Sequence, residues 1–457
     1  MKDASDLIAQ YQSEGIKSIK FAVCDIDGVL RGKYISLEKF AAIAAGTSGF
    51  CDCVLGWDVD DQLYDNGTFT GWHTAYPDAL VRLDLSTERR LQDEGNMPFF
   101  LGDFVIQEQQ KFHPICPRSR LKEVLSRAQQ AGLGAKLAFE YEFFVFDETP
   151  HSIREKNYRN LVPLSPGNFG YSILRTNTHA DLFNELMDYC IAHNFPLECL
   201  HCETGPGVWE GAIAVDDALA AADKAVMFKT FVKSFFQRKG LVATFMAKWS
   251  MDYPGQSGHC HQSLQHLNNG ESAFFDSNAA YSMSELQKSY VAGQQKYLRQ
   301  LLAVTSPTIN SYTRLVKGAW APTAATWGVE NRTTALRVIP GSAKSQRVEF
   351  RVGSADANPY LVAAATLGAG LLGIEERLEL TAPIVGDAYA IQDQLPPDWQ
   401  FPTNLRDANR ALATSEAAKN LFGEPFVAHY VASRDWEVRQ YEKQVTDWQL
   451  QRYFEII

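Results

Sequence analysis

Two glutamates separated by one residue interrupt an otherwise apolar and aromatic stretch at positions 137–144. Side chains alternate between the two faces of a β-strand, so this spacing places Glu140 and Glu142 on one face and the aromatic residues on the other. Neighbouring carboxylates repel each other unless a cation or a proton lies between them. A solvated strand face is the simpler alternative, but the aromatic flanks disfavour it, and the pattern predicts a cation site.

The same spacing of two recurs further along the chain, in His259 with His261 and in Glu349 between Arg347 and Arg351. A further acidic pair, Glu203 and Glu210, lies on either side of a Gly-Pro-Gly turn. Each group alone is compatible with a satisfied histidine or a surface ion pair. Together they offer five carboxylates and two imidazoles to one site, and such ligands suit Mg²⁺ or Mn²⁺.

Arginine is the second component of the pattern. Five arginines lie between positions 314 and 351, each among apolar or small residues. The planar guanidinium binds phosphate and carboxylate through two parallel hydrogen bonds. Metal ions beside arginines are typical of phosphoryl transfer, in which the protein mainly positions groups and neutralises charge. The sequence has no GxxxxGK[ST] loop, which excludes a P-loop enzyme.

Two other motifs compete with this interpretation. Asp25 and Asp27 follow an apolar strand, as in the DxD motif of haloacid-dehalogenase-type phosphatases, but Asp27-Gly28 also predicts an ordinary hairpin turn. Cys199 and Cys202 form a CxxC that could join histidines in a zinc site. No second CxxC is present, so inert thiols are the favoured interpretation.

The elements that must position these residues can be predicted from periodicity. Residues 18–36 read as strand, turn and strand, and residues 136–146 as a strong strand. Amphipathic or apolar helices are predicted after Pro117 and over residues 180–193, 216–239, 283–302 and 358–376. A break rich in proline at residues 113–118 separates a domain of residues 1–112 from one of residues 113–457.

Composition excludes several classes of function. The chain has 457 residues and a net charge of −11 without a Lys/Arg block, which argues against nucleic acid as a partner. No run approaches the roughly 20 apolar residues of a membrane span, and no signal peptide follows Met1, so we expect no membrane partner and a cytoplasmic location. Eight cysteines in such a chain are expected to be reduced thiols.

The motifs together resemble the glutamine synthetase superfamily over nearly the whole chain. In order, residues 139–144 resemble its paired-glutamate strand, 203–210 its ExxPGQxE loop, 243–248 its ATFMPKP segment, 257–263 its GMHxHxS strand, 331–337 its NRxxxxR segment, and 347–360 its RxExR…ANPY segment. One such match is weak, whereas six in order are specific. The resemblance implies an α+β fold with a small N-terminal β-grasp domain and a C-terminal catalytic domain with a curved antiparallel sheet.

The resemblance also implies roles for individual residues. One metal ion would be held by Glu142, Glu203 and Glu210, and the other by Glu140, His259 and Glu349. Glutamate would be bound by Gly255, His261, Arg314 and Arg351. Phosphates would meet Arg332, Arg337 and Arg347, with Ser263 and Lys344 on the nucleotide side. The implied cofactors are ATP and two Mg²⁺ or Mn²⁺ ions, and the implied reaction forms an amide through γ-glutamyl phosphate.

Two departures from the family pattern concern the nitrogen nucleophile. Family members that use ammonia carry a glutamate in the sequence RLVPGYEAP, and Trp320 takes its place here. The DGSS loop that supplies an aspartate to a neighbouring subunit's ammonium pocket is also missing, and whether Asp52, Asp58 or neither replaces it stays open. An altered ammonium pocket predicts a larger amine, either a polyamine or a small monoamine, with Asp58 and Trp320 as candidate catalytic residues.

Two alternatives remain at the level of sequence. One is a true glutamine synthetase that uses ammonia, and the other is a structural member of the superfamily that catalyses nothing. All six candidate metal ligands keep competent side chains, which disfavours the second alternative. The resemblance further implies a homo-oligomer, a double ring and commonly a dodecamer, with sites at subunit interfaces.

Overall fold

The computed structural model describes residues 3–106 and 111–457. Within these ranges the strands form two sheets, one of five strands and one of nine. The five-stranded sheet uses residues before position 106, and the nine-stranded sheet uses residues after position 132. We therefore propose the domain boundary at residues 112 and 113, where the sequence pattern breaks.

The bounds of the elements are as follows. The strands are β1 Ser18–Cys24, β2 Leu30–Ser36, β3 Ser48–Cys51, β4 Asp78–Leu91, β5 Met97–Val105, β6 Leu133–Phe146, β7 Leu197–Cys202, β8 Val208–Ile213, β9 Asp216–Asp217, β10 Val242–Thr244, β11 Gly258–His266, β12 Trp327–Val329, β13 Leu336–Ile339 and β14 Arg347–Phe350. The helices are α1 Ala4–Ser13, α2 Leu37–Ile43, α3 Pro117–Gln130, α4 Pro150–Glu155, α5 Ile173–Thr178, α6 Ala180–Ala192, α7 Ala218–Arg238, α8 Glu285–Thr305, α9 Ser311–Arg314, α10 Pro359–Glu375, α11 Leu405–Ala413, α12 Glu416–Phe422, α13 Glu424–Glu442 and α14 Asp447–Tyr453.

The N-terminal sheet has the order β2-β1-β5-β4-β3, with β1 and β5 parallel at its centre. The predicted hairpin is present, since β1 and β2 pair antiparallel. Asp25 builds the connecting turn because its Oδ1 accepts the backbone N–H groups of Asp27, at 3.0 Å, and Val29, at 2.8 Å. Arg31 binds the other oxygen of Asp25 at 2.9 Å. The motif is a hairpin turn, and the phosphatase interpretation finds no support in it.

The C-terminal sheet has the order β12-β13-β14-β11-β6-β8-β7, with β9 and β10 also paired to β6. The 14-residue strand β6 occupies its middle and alternates between buried and half-buried residues along most of its length. The predicted fold class is confirmed, with one correction. The sheet is mixed, because β12 and β13 run parallel.

Helices cover one face of this sheet and place the core there. Helix α7 packs on β6, and α10 packs between α3, α7 and α8. Residues of α10 are buried on every side from Pro359 to Gly373, as expected of a helix that is apolar all round. The helices expected from periodicity are present within a few residues of their predicted ends. In the described ranges, no helix is both long enough and apolar enough to cross a membrane.

A buried arginine joins the two sheets through α3. Arg118 forms ion pairs of 2.8 Å with Asp84 and Asp103 of the N-terminal sheet and with Asp223 of α7. Asn358 adds a second link, because its side-chain N–H donates to the backbone oxygen of Asp25 at 3.0 Å. Burying such polar groups is tolerated because each is hydrogen-bonded, and the partners fix how the two sheets lie.

Candidate active site

Strand register brings the predicted acidic residues together on the open face of the nine-stranded sheet. Glu140 lies opposite His259 in β11, and Glu142 lies opposite Glu210 in β8. Across the next strand pair, Glu349 lies opposite both His261 and Arg337. The buried neighbours Phe139, Tyr141 and Phe143 hold the other face of β6 in the core. One row of side chains therefore collects carboxylates and imidazoles from sequence positions 140 to 349.

The first potential metal site consists of Glu140, His259 and Glu349, whose ligand atoms all lie within 4.8 Å of one another. His259 Nδ1 is 3.4 Å from Glu349 Oε1 and 3.6 Å from Glu140 Oε2. The Nε2 atom of His259 is buried and has no hydrogen-bond partner among the described residues. Two carboxylates with one imidazole fit a divalent cation, and these are the three residues predicted from the family pattern.

Glu349 is the most tightly held residue of this group, with 1% of its surface exposed. Arg337 Nη1 donates to one carboxylate oxygen at 3.0 Å, and Arg351 donates to the other. Burial by itself would raise the pKa of Glu349, but the nearby charges of His259 and Arg351 lower that pKa to about 2. The carboxylate is therefore ionised at neutral pH and ready to bind a cation.

The second potential metal site contains His201, Glu203 and Glu210, again with ligand atoms within 4.8 Å of one another. Glu142, which the sequence placed in this set, instead accepts the backbone N–H of Ser257. Burial, followed by repulsion from Glu142 and Glu140, raises the pKa of Glu210 to about 10. A cation among these carboxylates would offset that repulsion, so the donor set fits a second divalent ion.

Most of the predicted residues line one cavity of about 550 Å³. They are Glu140, Glu142, Glu203, Glu210, Gly255, His259, Arg314, Trp320, Arg332, Arg337, Glu349 and Arg351. Arginines and carboxylates are neighbours in this cavity, because Arg337 and Arg351 both bind Glu349. The arrangement can bind anionic groups between metal ions and guanidinium groups.

The predicted nucleotide residues line an adjoining cavity of about 290 Å³, which shares Glu140 with the first. Ser263, Lys344 and Arg347 belong to it, as expected. His261 lies there as well, with Nε2 3.1 Å from Glu140 Oε1 and Nδ1 3.2 Å from Arg347 Nε. His261 therefore lines the same cavity as Ser263, Lys344 and Arg347, and the binding of glutamate by His261, which the resemblance implied, stays a prediction.

Arg314 lies beneath the floor of the larger cavity and is 2% exposed. It donates to the backbone oxygen of Val352 at 2.8 Å and to Ser257 Oγ at 2.9 Å. Gly255 passes so close that a Cβ atom there would lie 2.6 Å from Arg314 Cγ. Glycine is therefore required for the backbone to reach this wall of the cavity.

The two residues predicted at the nucleophile end have different positions. Asp58 lines neither of these two cavities; its Oδ2 accepts from Trp436 Nε1 at 2.8 Å, and its Oδ1 accepts backbone N–H groups of its own turn. Trp320 lines the larger cavity and is 64% exposed. A role for Asp58 in catalysis would require a second subunit and stays a prediction.

Sequence reasoning missed two residues at this end, Tyr171 and His201. Their rings stack with centroids 4.6 Å apart and an angle of 10° between their planes, at the rim of the larger cavity. The spacing of two between His201 and Glu203 is the same signal that identified the other pairs, although His201 also lies between the two cysteines of the CxxC. Neither metal-competent group of described residues includes a cysteine.

Comparisons with known proteins agree with this geometry. The family described as glutamine synthetase, catalytic domain, matches residues 114–453. The chain is 44% identical to the type-1 glutamine synthetase 2 of Dictyostelium discoideum, over 100% of this chain and 87% of that protein. It is 36% identical to the glutamate–isopropylamine ligase of a Pseudomonas species, over 98% and 96% of the two chains.

Further similarity extends to another amine ligase and to solved structures. The chain is 34% identical to the gamma-glutamylethanolamide synthetase GlnA4 of Streptomyces coelicolor, over 98% of this chain and 95% of that one. The structure of GmaS without ligand has a TM-score of 0.85 and 27% identity, covering 99% of this chain and 100% of the other. The GmaS–ADP complex is equally similar, with a TM-score of 0.85 and 28% identity over 98% and 99% of the two chains.

Proposed function

This chain belongs to the glutamine synthetase family, and from that premise we propose that it joins the γ-carboxylate of glutamate to a small primary amine at the expense of ATP. The observation that carries the proposal is the mouth of the larger cavity. Trp320 stands there where ammonia-using members carry a glutamate, while the carboxylates and arginines behind it are retained. We therefore propose a ligase active site in which the part that receives the nitrogen nucleophile differs from that of the ammonia-using members.

The proposed roles of the acidic residues follow from the two clusters. Glu140, His259 and Glu349 hold one divalent ion, and Glu203 and Glu210, with Glu142 beside them, hold the other. Bound Mg²⁺ or Mn²⁺ ions supply positive charge that stabilises the ATP phosphates and the attacking carboxylate. The family's use of ATP and divalent metal ions accounts for this donor set, and the identity of the ions belongs to the proposal.

The arginines and the residues of the nucleotide cavity are proposed to bind different anionic groups of the substrates. Arg332, Arg337 and Arg347 are proposed to meet phosphates, and Ser263 and Lys344 to bind the nucleotide. Gly255, Arg314 and Arg351 form the glutamate wall. His261 is proposed to act at the boundary between ATP and glutamate, since it lies beside Glu140, the residue that both cavities share.

The reaction proceeds in two steps. The glutamate γ-carboxylate attacks the γ-phosphorus of ATP, the bond to the β-phosphate oxygen breaks, and γ-glutamyl phosphate and ADP form. The amine nitrogen then attacks the acyl carbon, phosphate leaves, and the nitrogen loses a proton as the amide forms. Arg337 and Arg351 neutralise charge that develops during these steps, and this positioning is the main contribution of the protein.

The surroundings of the nucleophile favour a monoamine over a polyamine. Tyr171 and Trp320 present aromatic surface, 70% and 64% exposed, that suits an alkyl substituent. Both residues have a φ of 57°, a left-handed conformation that is costly for bulky side chains and recurs at functional sites. Of the five carboxylates among the described lining residues, four belong to the two metal clusters and the fifth, Glu142, accepts the backbone N–H of Ser257, so the second ammonium group of a polyamine would lack an uncommitted acidic partner.

Ammonia is the second candidate substrate, because the type-1 glutamine synthetase 2 of Dictyostelium discoideum is 44% identical to this chain. Trp320 disfavours ammonia as the substrate, since an indole ring cannot accept a proton from ammonium. A purely structural role is disfavoured because the residues of both metal clusters are present. Binding of ATP and Mn²⁺ would test this point, since a ligand that binds the folded protein raises its melting temperature.

A homo-oligomer is part of the proposal. Asp58 could serve an active site only across a subunit interface, and a double ring such as a dodecamer would supply that interface. Sedimentation of the full chain measures the number of subunits. A monomer with full activity would contradict a role for Asp58.

The decisive experiment measures ADP release with glutamate and Mg²⁺ against a panel of nitrogen nucleophiles. The panel contains isopropylamine, ethanolamine, methylamine, putrescine, spermidine and ammonium. We expect one or more monoamines to give kcat/KM at least about tenfold above ammonium and both polyamines, a difference of about 1.4 kcal/mol. Turnover with ammonium that equals or exceeds every amine would overturn the proposal.

A further inference from the structure

The second metal cluster differs from the three glutamates that the sequence predicted. His201 Nε2 lies 3.0 Å from Glu203 Oε1 and 3.9 Å from Glu210 Oε2. Glu142 lies opposite Glu210 on the neighbouring strand, and one of its oxygens accepts the N–H of Ser257. The cluster thus offers a nitrogen ligand in addition to the predicted carboxylates.

Strand register explains why His201 is in this position. His201 lies directly opposite Glu210 across β7 and β8, and Glu210 lies opposite Glu142 across β8 and β6. The three side chains therefore form one row across three strands. Because side chains alternate along β7, Glu203 follows His201 on the same face. The pairing of the strands therefore places the imidazole next to the carboxylates.

The imidazole ring is also held in one orientation. Tyr171 stacks on it with an interplanar angle of 10°, and Cys199 Sγ lies 3.6 Å from Nδ1. These contacts engage the ring face and Nδ1, and they leave Nε2 directed at the carboxylates. Histidines that bind a metal ion through one nitrogen commonly have their ring orientation fixed by contacts to the other nitrogen.

We propose that His201 is a ligand of the second divalent ion, through Nε2, together with Glu203 and Glu210. The inference rests on the two-metal function proposed above. Each ion would then have one imidazole, His259 for the first and His201 for the second. Imidazole binds Mn²⁺ and other transition ions in preference to Mg²⁺, so the second site would prefer a transition ion.

The first test measures Mn²⁺ binding by titration calorimetry, with Mg²⁺ as competitor and no substrate present. We expect His201→Asn to weaken binding of one of two Mn²⁺ ions by about tenfold or more and to reduce its preference over Mg²⁺. His151→Asn, a change at an exposed histidine on α4, should leave both ions unaffected. Unchanged affinity and preference for both ions in a folded His201→Asn variant would overturn the proposal.

The second test uses pulsed EPR of the Mn²⁺-loaded protein, where a coordinated imidazole nitrogen gives a hyperfine coupling. In His259→Asn the coupling from His201 should remain, and in the double variant with His201→Asn it should disappear. A coupling that is absent from His259→Asn, or that persists unchanged in the double variant, contradicts the assignment. Neither test needs an amine or turnover, so failure of the amine specificity would be seen separately.

Discussion

The two ends of the active site are built in different ways. At the metal and phosphate end, most of the candidate metal ligands lie on strands, and Glu349, with 1% of its surface exposed, is bound by arginines on both of its oxygens. At the amine end, Tyr171 and Trp320 lie outside the strands and helices, with more than half of their surfaces exposed and a left-handed backbone.

This difference indicates how one fold can serve different nucleophiles. Strand register fixes the metal ligands relative to each other, and a change in one of them disturbs its hydrogen-bonded neighbours. Loop residues at the mouth can be exchanged without moving the sheet. The chemistry of phosphoryl transfer is thus retained while the substrate that accepts the acyl group changes.

The largest effect is expected from Glu349→Gln. The change removes a metal ligand and the negative charge that faces Arg337 and Arg351, so we expect kcat to fall by a factor on the order of 10³. ADP release in the presence of glutamate and the best amine measures the loss. Glu330→Gln is the matched control, since Glu330 also binds Arg337 but is half exposed and outside the metal clusters. Equal losses in both variants would show that the role of Glu349 is not metal binding.

A smaller effect is expected where the backbone reaches the glutamate wall. In Gly255→Ala the new Cβ atom would lie 2.6 Å from Arg314 Cγ and 2.8 Å from the backbone oxygen of Ala247. We expect the free energy of unfolding to fall by about 1–3 kcal/mol and KM for glutamate to rise. Gly46→Ala, where no atom lies within 4 Å of the new Cβ, should change neither quantity. Normal stability and KM in Gly255→Ala would show that the backbone at Gly255 tolerates substitution as well as the loop residues at the opening of the cavity do.

The mouth itself is tested by Trp320→Ala. We expect kcat/KM for the preferred monoamine to fall about tenfold, because the alkyl group loses aromatic contact, while activity with ammonium changes little. Lys317→Ala, in the same loop but outside the cavity, is the control. Parallel losses for amine and ammonium would indicate a general role of Trp320 and would remove the distinction between the two ends.

The smallest effect is expected from pH, at a junction between helix α13 and the N-terminal domain. Burial lowers the pKa of His429 to about 4, from an ordinary value of 6.5, and its Nε2 donates to the backbone oxygen of Leu55 at 2.6 Å. The unfolded chain therefore binds the proton first as pH falls, and stability is lost between pH 6.5 and 4, by at most about 1.4 kcal/mol per pH unit.

Denaturant unfolding at pH 7 and pH 5 measures this slope, and His429→Gln should reduce it. His113 contributes in the same window, since burial also lowers its pKa to about 4. Glu349 affects stability at lower pH. Because its pKa is lowered to about 2 in the folded protein, the free energy of unfolding falls only as pH drops below the ordinary value of 4.5. An unchanged slope in His429→Gln would show that this junction does not control acid sensitivity.

At the metal end, Glu140, His259 and Glu349 lie together, as the resemblance to the family implied, and their roles in metal binding stay predictions. The fold class is confirmed by the two sheets and by the family match. His261 lies on the same strand face as His259, and its assignment to glutamate, which the resemblance implied, stays a prediction. Which neighbour a ring faces depends on the adjacent strand, here on Arg347 and Glu140.

The sequence by itself determined which side chains share a strand face, because alternation with a period of two is a local property of the backbone. It also determined the family, through six motifs in order. Only the tertiary structure decided that His201 joins Glu203 and Glu210, that Asp58 binds Trp436, and that Tyr171 and Trp320 line one cavity. Apart from the spacing of two between His201 and Glu203, these contacts have no local signal, because they depend on register between strands and on loop conformation that bring distant residues together.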